Sequence, residues 1–265
     1  MTYTLALSEQ ELTRYREMAA YARRYERDAW VRAGAKPGAR VADVGCGPAV
    51  MLSEIARTVG PEGWVDGVER NEGARQTAAA FMAAEGIKNA RVLEGEATAT
   101  GLQPRAYDMV MMRHVLVHNG GIEQQIVSHL ASLVRPGGCV YLLESDLSAI
   151  RRVPDDEDQK DMETRWLNML RGMGCDLAVG ARLRHLLVAA GLEIVEAEAR
   201  YDIYSKRGNR PPEWAARDAM VHAGLATQED VARWERALQR MDEDPRDPTV
   251  YVPMFRAVGR LPAGA

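Results

Sequence analysis

Two glycines stand where a short apolar run passes into a helical pattern, in the stretch VADVGCGPAVM (Val41–Met51). Gly45 and Gly47 carry no Cβ, so their backbone can approach a ligand closely, and a positive φ suits them. Turns from strand to helix bind nucleotides at the edge of doubly wound sheets. A dinucleotide fingerprint needs a third glycine where Val50 stands, which argues against a nicotinamide cofactor. By itself, the loop is equally consistent with a tight turn that binds nothing.

Acidic residues follow the second and third predicted strands, at the edge of the sheet that would carry the glycine loop. Glu69 comes about 20 residues after that loop, which is the spacing of an acid that binds ribose hydroxyls. A carboxylate accepts hydrogen bonds from both hydroxyls. Glu96 ends the third strand, where the rim of an adenine pocket is expected. Both acids alone are consistent with polar strand ends, but the three features in succession favour a nucleoside-bearing ligand.

The elements that position these residues alternate between strand and helix, which predicts βαβ units and a parallel sheet covered on both faces. A capping-box pattern at Ser8 and Glu11 opens one or two helices that run to Trp30. RPGG predicts a turn before the fifth strand, and helical patterns follow both the fifth and the sixth strand. The seven predicted strands lie in RVADVG, GWVDGVER, ARVLEGEA, YDMVMMRHVL, CVYLLESD, LEIVEAEARYDIYS and TVYVPMFRAVGRL.

The motifs VADVGCGPA, GVE, GEA, YDMVMMRHVL and LVRPGG, in this order, resemble those of class I S-adenosylmethionine (SAM)-dependent methyltransferases. The branch that they resemble includes the ubiquinone and menaquinone-biosynthesis methyltransferases. The resemblance covers about Pro37 to Asp146 well and the last strand more loosely. It implies a Rossmann-like α/β fold with seven mostly parallel strands in the order 3-2-1-4-5-7-6. Helices would lie on both faces, with an N-terminal helical lid and helical insertions after strands 5 and 6.

The resemblance also implies a cofactor, SAM, whose methionine part would lie on the glycine loop. Ala49 in place of a third glycine and Glu96 in place of the more usual aspartate depart from the family pattern. Arg113 is expected at the methionine end of the cofactor. Tyr15 or Tyr21 is expected to line a helical lid over the cofactor, and packing of these aromatics on the edge of the sheet is the equal alternative. The cofactor-binding residues expected on this basis are Gly45, Cys46, Gly47, Glu69, Arg70, Gly95, Glu96, Ala97, Arg113, Tyr15 and Tyr21.

Methyl transfer is an in-line displacement from a sulfonium, so the protein must align the acceptor and in some cases remove its proton. His114 or His118, which follow the fourth strand, are candidate general bases, because neutral imidazole accepts a proton near pH 7. Either histidine is equally open to a local packing role. Glu144 and Asp146 end the fifth strand, where they would bind a polar substrate group or cap the next segment. No cluster of acids or cysteines suggests a metal.

The helix after the fifth strand is expected to cover the substrate, with Trp166 and Met169 on its apolar side, although such residues at helical spacing are often plain core. A mostly apolar cover indicates a small hydrophobic or aromatic acceptor, of a kind typical of secondary metabolism. Two alternatives remain: a SAM-binding protein that does not methylate, such as a pericyclase, decarboxylase or regulatory binder, and an NAD(P)-dependent oxidoreductase. The sequence does not distinguish the first alternative from a methyltransferase, because the residues that bind a cofactor and those that perform the chemistry can differ independently.

The whole chain has the composition of a globular enzyme. Of its 265 residues, 46% are hydrophobic and 27% charged, and the formal charge of −4 argues against a nucleic-acid partner. No apolar run reaches the roughly 20 residues of a membrane span, and the N-terminus turns polar too early for a signal peptide. Cys46, Cys139 and Cys175 form no CxxC pair. We expect a cytoplasmic single domain, 1–265, with a lid (1–36), a cofactor core (37–146) and a substrate cover (147–265), and leave a homo-oligomer open.

Overall fold

The computed structural model describes residues 9–205 and 210–264, apart from the side chains of residues 9–12, 14, 15 and 18. Within these residues one mixed sheet has the strand order β3-β2-β1-β4-β5-β8-β6, and β7 also pairs with β8. The first five strands are parallel, while β8 runs antiparallel to its neighbours. The strands are β1 (Arg40–Val44), β2 (Trp64–Val68), β3 (Ala90–Leu93), β4 (Tyr107–Arg113), β5 (Val134–Ser145), β6 (Arg151–Val153), β7 (Glu193–Ser205) and β8 (Thr249–Arg260).

The predicted order of strands is confirmed, since β7 and β8 are the sixth and seventh strands of the sequence pattern. The prediction of seven strands was wrong by one, because the three-residue β6 also pairs with β8, at Thr249–Tyr251. β6 thereby occupies the edge of β8 that β5 leaves after Met254. The RPGG stretch is not a separate turn either: it lies inside β5, where the pairing with β4 shifts register between Tyr107 and Met109.

Helices cover both faces of the sheet, as expected. α1 begins at Glu9, so the predicted cap Ser8 lies outside the described residues, and a single helix replaces the predicted one or two. α3 begins where the Asn71 side chain accepts a hydrogen bond from the Ala74 amide. The helices are α1 (Glu9–Ala33), α2 (Val50–Val59), α3 (Glu72–Ala84), α4 (Glu123–Leu133), α5 (Glu157–Gly172), α6 (Leu183–Ala189), α7 (Pro212–Ala215), α8 (Arg217–His222) and α9 (Gln228–Glu243).

Three apolar clusters hold these layers together. One lies between the sheet and α1 and α2, and includes Trp30 and Leu52. A second lies on the other face, under α4 and α6. The third is formed by α5, α8 and α9 around Trp234, away from the sheet. Within the described part of the chain, no helix is long and apolar enough to cross a membrane.

We expect Trp30→Ala to lower the free energy of unfolding by about 3–5 kcal/mol, because this fully buried ring fills the space between α1 and the sheet. Tyr25→Ala on the same helix is the matched control, since Tyr25 is 46% exposed and should cost about 1 kcal/mol or less. Denaturant unfolding measures both. Equal losses in the two variants would contradict the packing of α1 described above.

Candidate active site

The glycine loop lies at the carboxyl end of β1, where its backbone is held against β2. The amides of Gly45 and Cys46 donate to the Val68 carbonyl oxygen at 2.8 and 3.2 Å. Gly45 has φ +82°, and a Cβ there would lie 2.4 Å from Cγ2 of Val115. Only glycine fits at this position. Gly47 has φ +54° with open space around it, so its backbone faces the cleft.

Ala49, which replaces the third glycine of the family pattern, and Cys46 also shape the loop. Ala49 takes φ 62°, the left-handed conformation that glycine adopts at lower cost, by about 1 kcal/mol. The Cys46 side chain is buried in the apolar cluster under α1, and burial raises the pKa of its thiol. The loop therefore presents backbone to the cleft, and Cys46 contributes packing from below.

Glu69 follows β2 and ties the loop to it. One carboxylate oxygen accepts a hydrogen bond from the Gly47 amide at 3.1 Å, and the other accepts from the Asn71 amide at 2.8 Å. Carboxylate oxygens accept more than one bond each, so these contacts leave capacity for hydroxyl donors. The ribose role of Glu69 stays a prediction, and its structural role in holding the loop adds to it.

Asp43 and Arg113 form an opposed pair of charges beside the loop. Asp43 is 3% exposed, and burial raises its pKa to about 7 against the attraction of Arg113. Among the described residues, Asp43 Oδ2 has no hydrogen-bond partner, and neither does Arg113 Nε. Sequence reasoning missed Asp43, although a lone acid inside an apolar strand just before the glycines was a visible signal. Arg113 ends β4, and its contact with the methionine end of the cofactor stays a prediction.

The Arg113 guanidinium is held from the lid by Glu26. Its Nη2 donates to Glu26 Oε1 at 2.9 Å, and the Tyr141 hydroxyl donates to Glu26 Oε2 at 2.6 Å. Glu26 is 1% exposed, so α1 inserts a buried carboxylate under the end of β4. The sequence pattern did not single out Glu26, because an acid in a charged helix gives no sign of burial.

A second carboxylate, that of Asp202 on β7, contacts α1 at Tyr21, about one turn before Glu26. Its oxygens accept from the hydroxyls of Tyr21 at 3.0 Å and Tyr204 at 3.3 Å, and from Arg200 Nε at 2.7 Å. Burial and the charge of Asp202 raise the pKa of Tyr21 to about 12. The cofactor contact predicted for Tyr21 stays a prediction, and the side chain of Tyr15 lies outside the described residues.

The loop after β4 carries the two candidate bases in different surroundings. His114 has φ 55°, and its amide donates to the Leu143 carbonyl oxygen at 3.0 Å. His118 ends a 3₁₀ turn, with Nδ1 3.8 Å from the sulfur of Cys175. Burial and then the charge of Arg70 lower the pKa of His118. His118 is thus mainly neutral at pH 7.

Glu144 supports that loop from below. Its Oε1 accepts from the amides of Val115 at 2.7 Å and Leu116 at 2.6 Å. The side chain is fully buried, and burial raises its pKa to about 8 in spite of these bonds. Asp146 accepts from the amide and hydroxyl of Ser148, at 2.9 and 2.6 Å. The predicted substrate contacts of both acids stay predictions beside these local roles.

Of the remaining predicted residues, Gly95, Glu96 and Ala97 follow β3, and Trp166 and Met169 lie on α5. Glu96 is exposed and lies 3.9 Å from Arg70. A Cβ at Gly95 would meet Val68 at 2.8 Å, so the turn after β3 packs on β2. Ala97 packs on the core below α4, while Trp166 and Met169 lie in the core of the helical cover. No group of metal-ligating side chains occurs among the described residues.

A Glu144→Gln substitution should remove a loss of stability that the wild type undergoes as pH rises. Because folding raises the pKa of Glu144 from 4.5 to about 8, the stability it contributes is complete below pH 4.5 and is lost as pH rises through about 8. Glutamine keeps an acceptor oxygen for the two amides and does not ionise. Denaturant unfolding at pH 5 and 8.5 should therefore show the variant gaining on the wild type at the higher pH.

Glu144→Ala is the companion variant, since it removes the acceptor altogether. It should lose about 1–3 kcal/mol for each amide left unpaired, at both pH values. A glutamine variant whose stability relative to the wild type is the same at pH 5 and 8.5 would contradict the raised pKa.

Comparison with known proteins agrees with this geometry. Residues 41–138 match the model of a family described as a methyltransferase domain. Demethylmenaquinone methyltransferase of Bacillus cytotoxicus is 28% identical over 110 residues, 42% of this chain and 46% of that protein. The sterol 24-C-methyltransferase ERG6B of Gibberella zeae is 26% identical over 169 residues, 62% of this chain and 42% of that protein. The chain thus spans about half the length of these curated relatives.

Solved structures show the same fold over nearly the whole chain. A putative methyltransferase of Bacillus halodurans aligns with a TM-score of 0.62 at 16% identity, over 89% of this chain and 99% of that one. The YcgJ protein of Bacillus subtilis aligns with a TM-score of 0.60 at 15% identity, over 90% and 99%. The family resemblance carried by the motifs is confirmed: residues 41–138 match a methyltransferase domain, and the described residues have the fold of these solved structures.

Proposed function

We propose that this protein transfers a methyl group from SAM to a small-molecule acceptor. The observation that carries the proposal is the pair formed by Asp43 and Arg113 beside the glycine loop. Each side chain keeps a buried polar atom unpaired among the described residues, an acceptor on Asp43 and a donor on Arg113. An α-amino acid group carries an ammonium and a carboxylate together, so it is complementary to both. The methionine end of SAM is such a group.

The other residues of the cleft fit the rest of the cofactor. Glu69 has acceptor capacity for ribose hydroxyls, and the exposed Glu96 with Arg70 lies at the next strand end, where adenine is expected. SAM supplies the reactive methyl group on its sulfonium. The protein aligns the acceptor with it, and the loops that do so are fixed by backbone hydrogen bonds to Glu69 and Glu144.

His114 is our candidate for the general base. It directly follows Arg113, so it lies near the methionine end of the cofactor, whereas His118 is influenced by Arg70 at the opposite end. An imidazole there would take the proton of a hydroxyl or neutral amine acceptor as the new bond to the methyl carbon forms. His118, which is mainly neutral at pH 7, is the second candidate.

The acceptor is a small hydrophobic or aromatic molecule under this proposal. The cover helices α5, α8 and α9 have an apolar core, and Leu147 packs against both this core and the sheet. Leu147 thereby marks where the cover meets the carboxyl end of β5. The chain then acts as one domain, with residues 1–36 as lid, 37–146 as cofactor core and 147–265 as substrate cover.

Calorimetry should show that the protein binds SAM or S-adenosylhomocysteine and does not bind NADH. Glu69→Ala should weaken SAM binding by roughly 1.5–3 kcal/mol, the scale of a hydrogen bond to a charged group, while the variant stays folded. Glu94→Ala is the matched control, because that carboxylate is 77% exposed and should leave the dissociation constant unchanged. Binding of NADH without SAM, or an unchanged constant in folded Glu69→Ala, would contradict the proposal.

His114→Gln should lower kcat about 10²–10⁴-fold with SAM affinity nearly unchanged, as expected for the loss of a positioned base. The measurement uses labelled SAM and the acceptor found in a pool of metabolites. The rate of the wild type should also fall at low pH, as the imidazole becomes protonated. Full turnover in His114→Gln, His118→Gln and the double variant would show that alignment alone accounts for the catalysis.

A further inference from the structure

Arg200 lies in the half of the sheet that the proposed cofactor site leaves open. The cofactor residues follow β1, β2 and β4, and the sheet continues through β5 and β8 to β7, which carries Arg200. The acceptor has to lie in line with the bond between the sulfur and the methyl group. Because Glu69 and its neighbours are proposed to hold the adenosine part of the cofactor, the acceptor approaches from this second half of the sheet. This inference therefore rests on the proposed function and concerns the acceptor.

The Arg200 guanidinium has a buried donor without a partner. Its Nε donates to Asp202 at 2.7 Å, but Nη2 lies 3.8 Å from Glu26 Oε1, beyond hydrogen-bond distance. Within the described part of the chain, neither Arg200 Nη2 nor Arg113 Nε has an acceptor. Both guanidiniums flank the same Glu26 carboxylate. Buried donors without partners are uncommon in folded proteins and call for a ligand or water.

Three tyrosine rings lie around this guanidinium. The ring centres of Tyr21 and Tyr25 are 4.3 Å apart, and those of Tyr21 and Tyr204 are 5.6 Å apart. The guanidinium carbon of Arg200 is 5.9 Å from the centre of the Tyr25 ring. The hydroxyls of Tyr21 and Tyr204 both donate to Asp202, so the remaining parts of these side chains are apolar.

We propose that the methyl acceptor is a carboxylic acid, whose carboxylate binds Arg200 while its hydrophobic body lies against the rings of Tyr21, Tyr25 and Tyr204. The planar guanidinium matches a carboxylate in shape and charge. A cationic acceptor would meet two guanidiniums at this position. A phosphate would bring about two negative charges next to Glu26 and Asp202. A carboxylate brings one negative charge beside these two acids, less than a phosphate would.

The test compares matched acids and amides on the protein saturated with S-adenosylhomocysteine. The probes are 4-hydroxybenzoate with 4-hydroxybenzamide, and 3-phenylpropanoate with 3-phenylpropanamide, titrated by calorimetry or ligand-observed NMR. The acids should bind the wild type more tightly than their amides. Arg200→Gln should weaken the acids about 10-fold or more and leave the amides unchanged. Arg246→Gln is the control, since that side chain is 70% exposed and should change nothing.

A second variant guards against loss of folding. Arg200→Gln with Asp202→Asn removes both charges of the pair and should show the same loss of acid binding. Acids that bind no better than amides, including no binding by either, would overturn the proposal, as would an acid preference that survives in both variants. Calorimetry with S-adenosylhomocysteine separates the two proposals. If the wild type does not bind S-adenosylhomocysteine, the proposed cofactor is refuted. If only the Arg200 variants lose this binding, Arg200 belongs to the cofactor site and the proposed acceptor site is overturned.

Discussion

Glu26 of α1 and Arg113 at the end of β4 form a buried ion pair, with Nη2 2.9 Å from Oε1. Removing both charges from water is costly, and the cost is offset only when the remaining polar atoms also find partners. The Tyr141 hydroxyl supplies one such partner to Glu26. Arg113 Nε has none among the described residues, so the arrangement becomes complete only when another acceptor reaches it. The ion pair thus fixes α1 against the end of β4.

Two other acidic side chains fix the loops around this pair. Glu69 accepts from the Gly47 amide, and Glu144 accepts from the amides of Val115 and Leu116. The two loops also contact each other, since Val115 lies against the space where a Cβ at Gly45 would be. The residues proposed to bind and to react are consequently positioned by side chains that each already bear a structural role. Substitutions of these acids will change loop geometry as well as any direct contact with a ligand.

Local patterns were sufficient to predict the glycine turn after β1 and the place of Glu69 after β2, because these depend on spacing along the chain, whereas the strand order followed from the family resemblance. β6 escaped prediction because its three residues, Arg151–Val153, form a strand only where β8 offers a free edge. Glu26, Asp202 and Arg200 also escaped, since burial of a charged residue depends on which element packs above it. The tertiary packing of α1 decides all three, and no periodicity in the helix or strand records it.

The position of α1 also connects the two halves of the cleft. Glu26 contacts Arg113, which belongs to the β4 end, and its carboxylate lies 3.8 Å from Arg200 of β7. One turn before it, Tyr21 is held by Asp202 of the same strand. A change at either end of the sheet that moves Glu26 therefore alters the field at the other end, through a low-dielectric interior where charges interact strongly. Because the Glu26 carboxylate lies between two guanidiniums, the proposed cofactor site and the proposed acceptor site both depend on the position of α1.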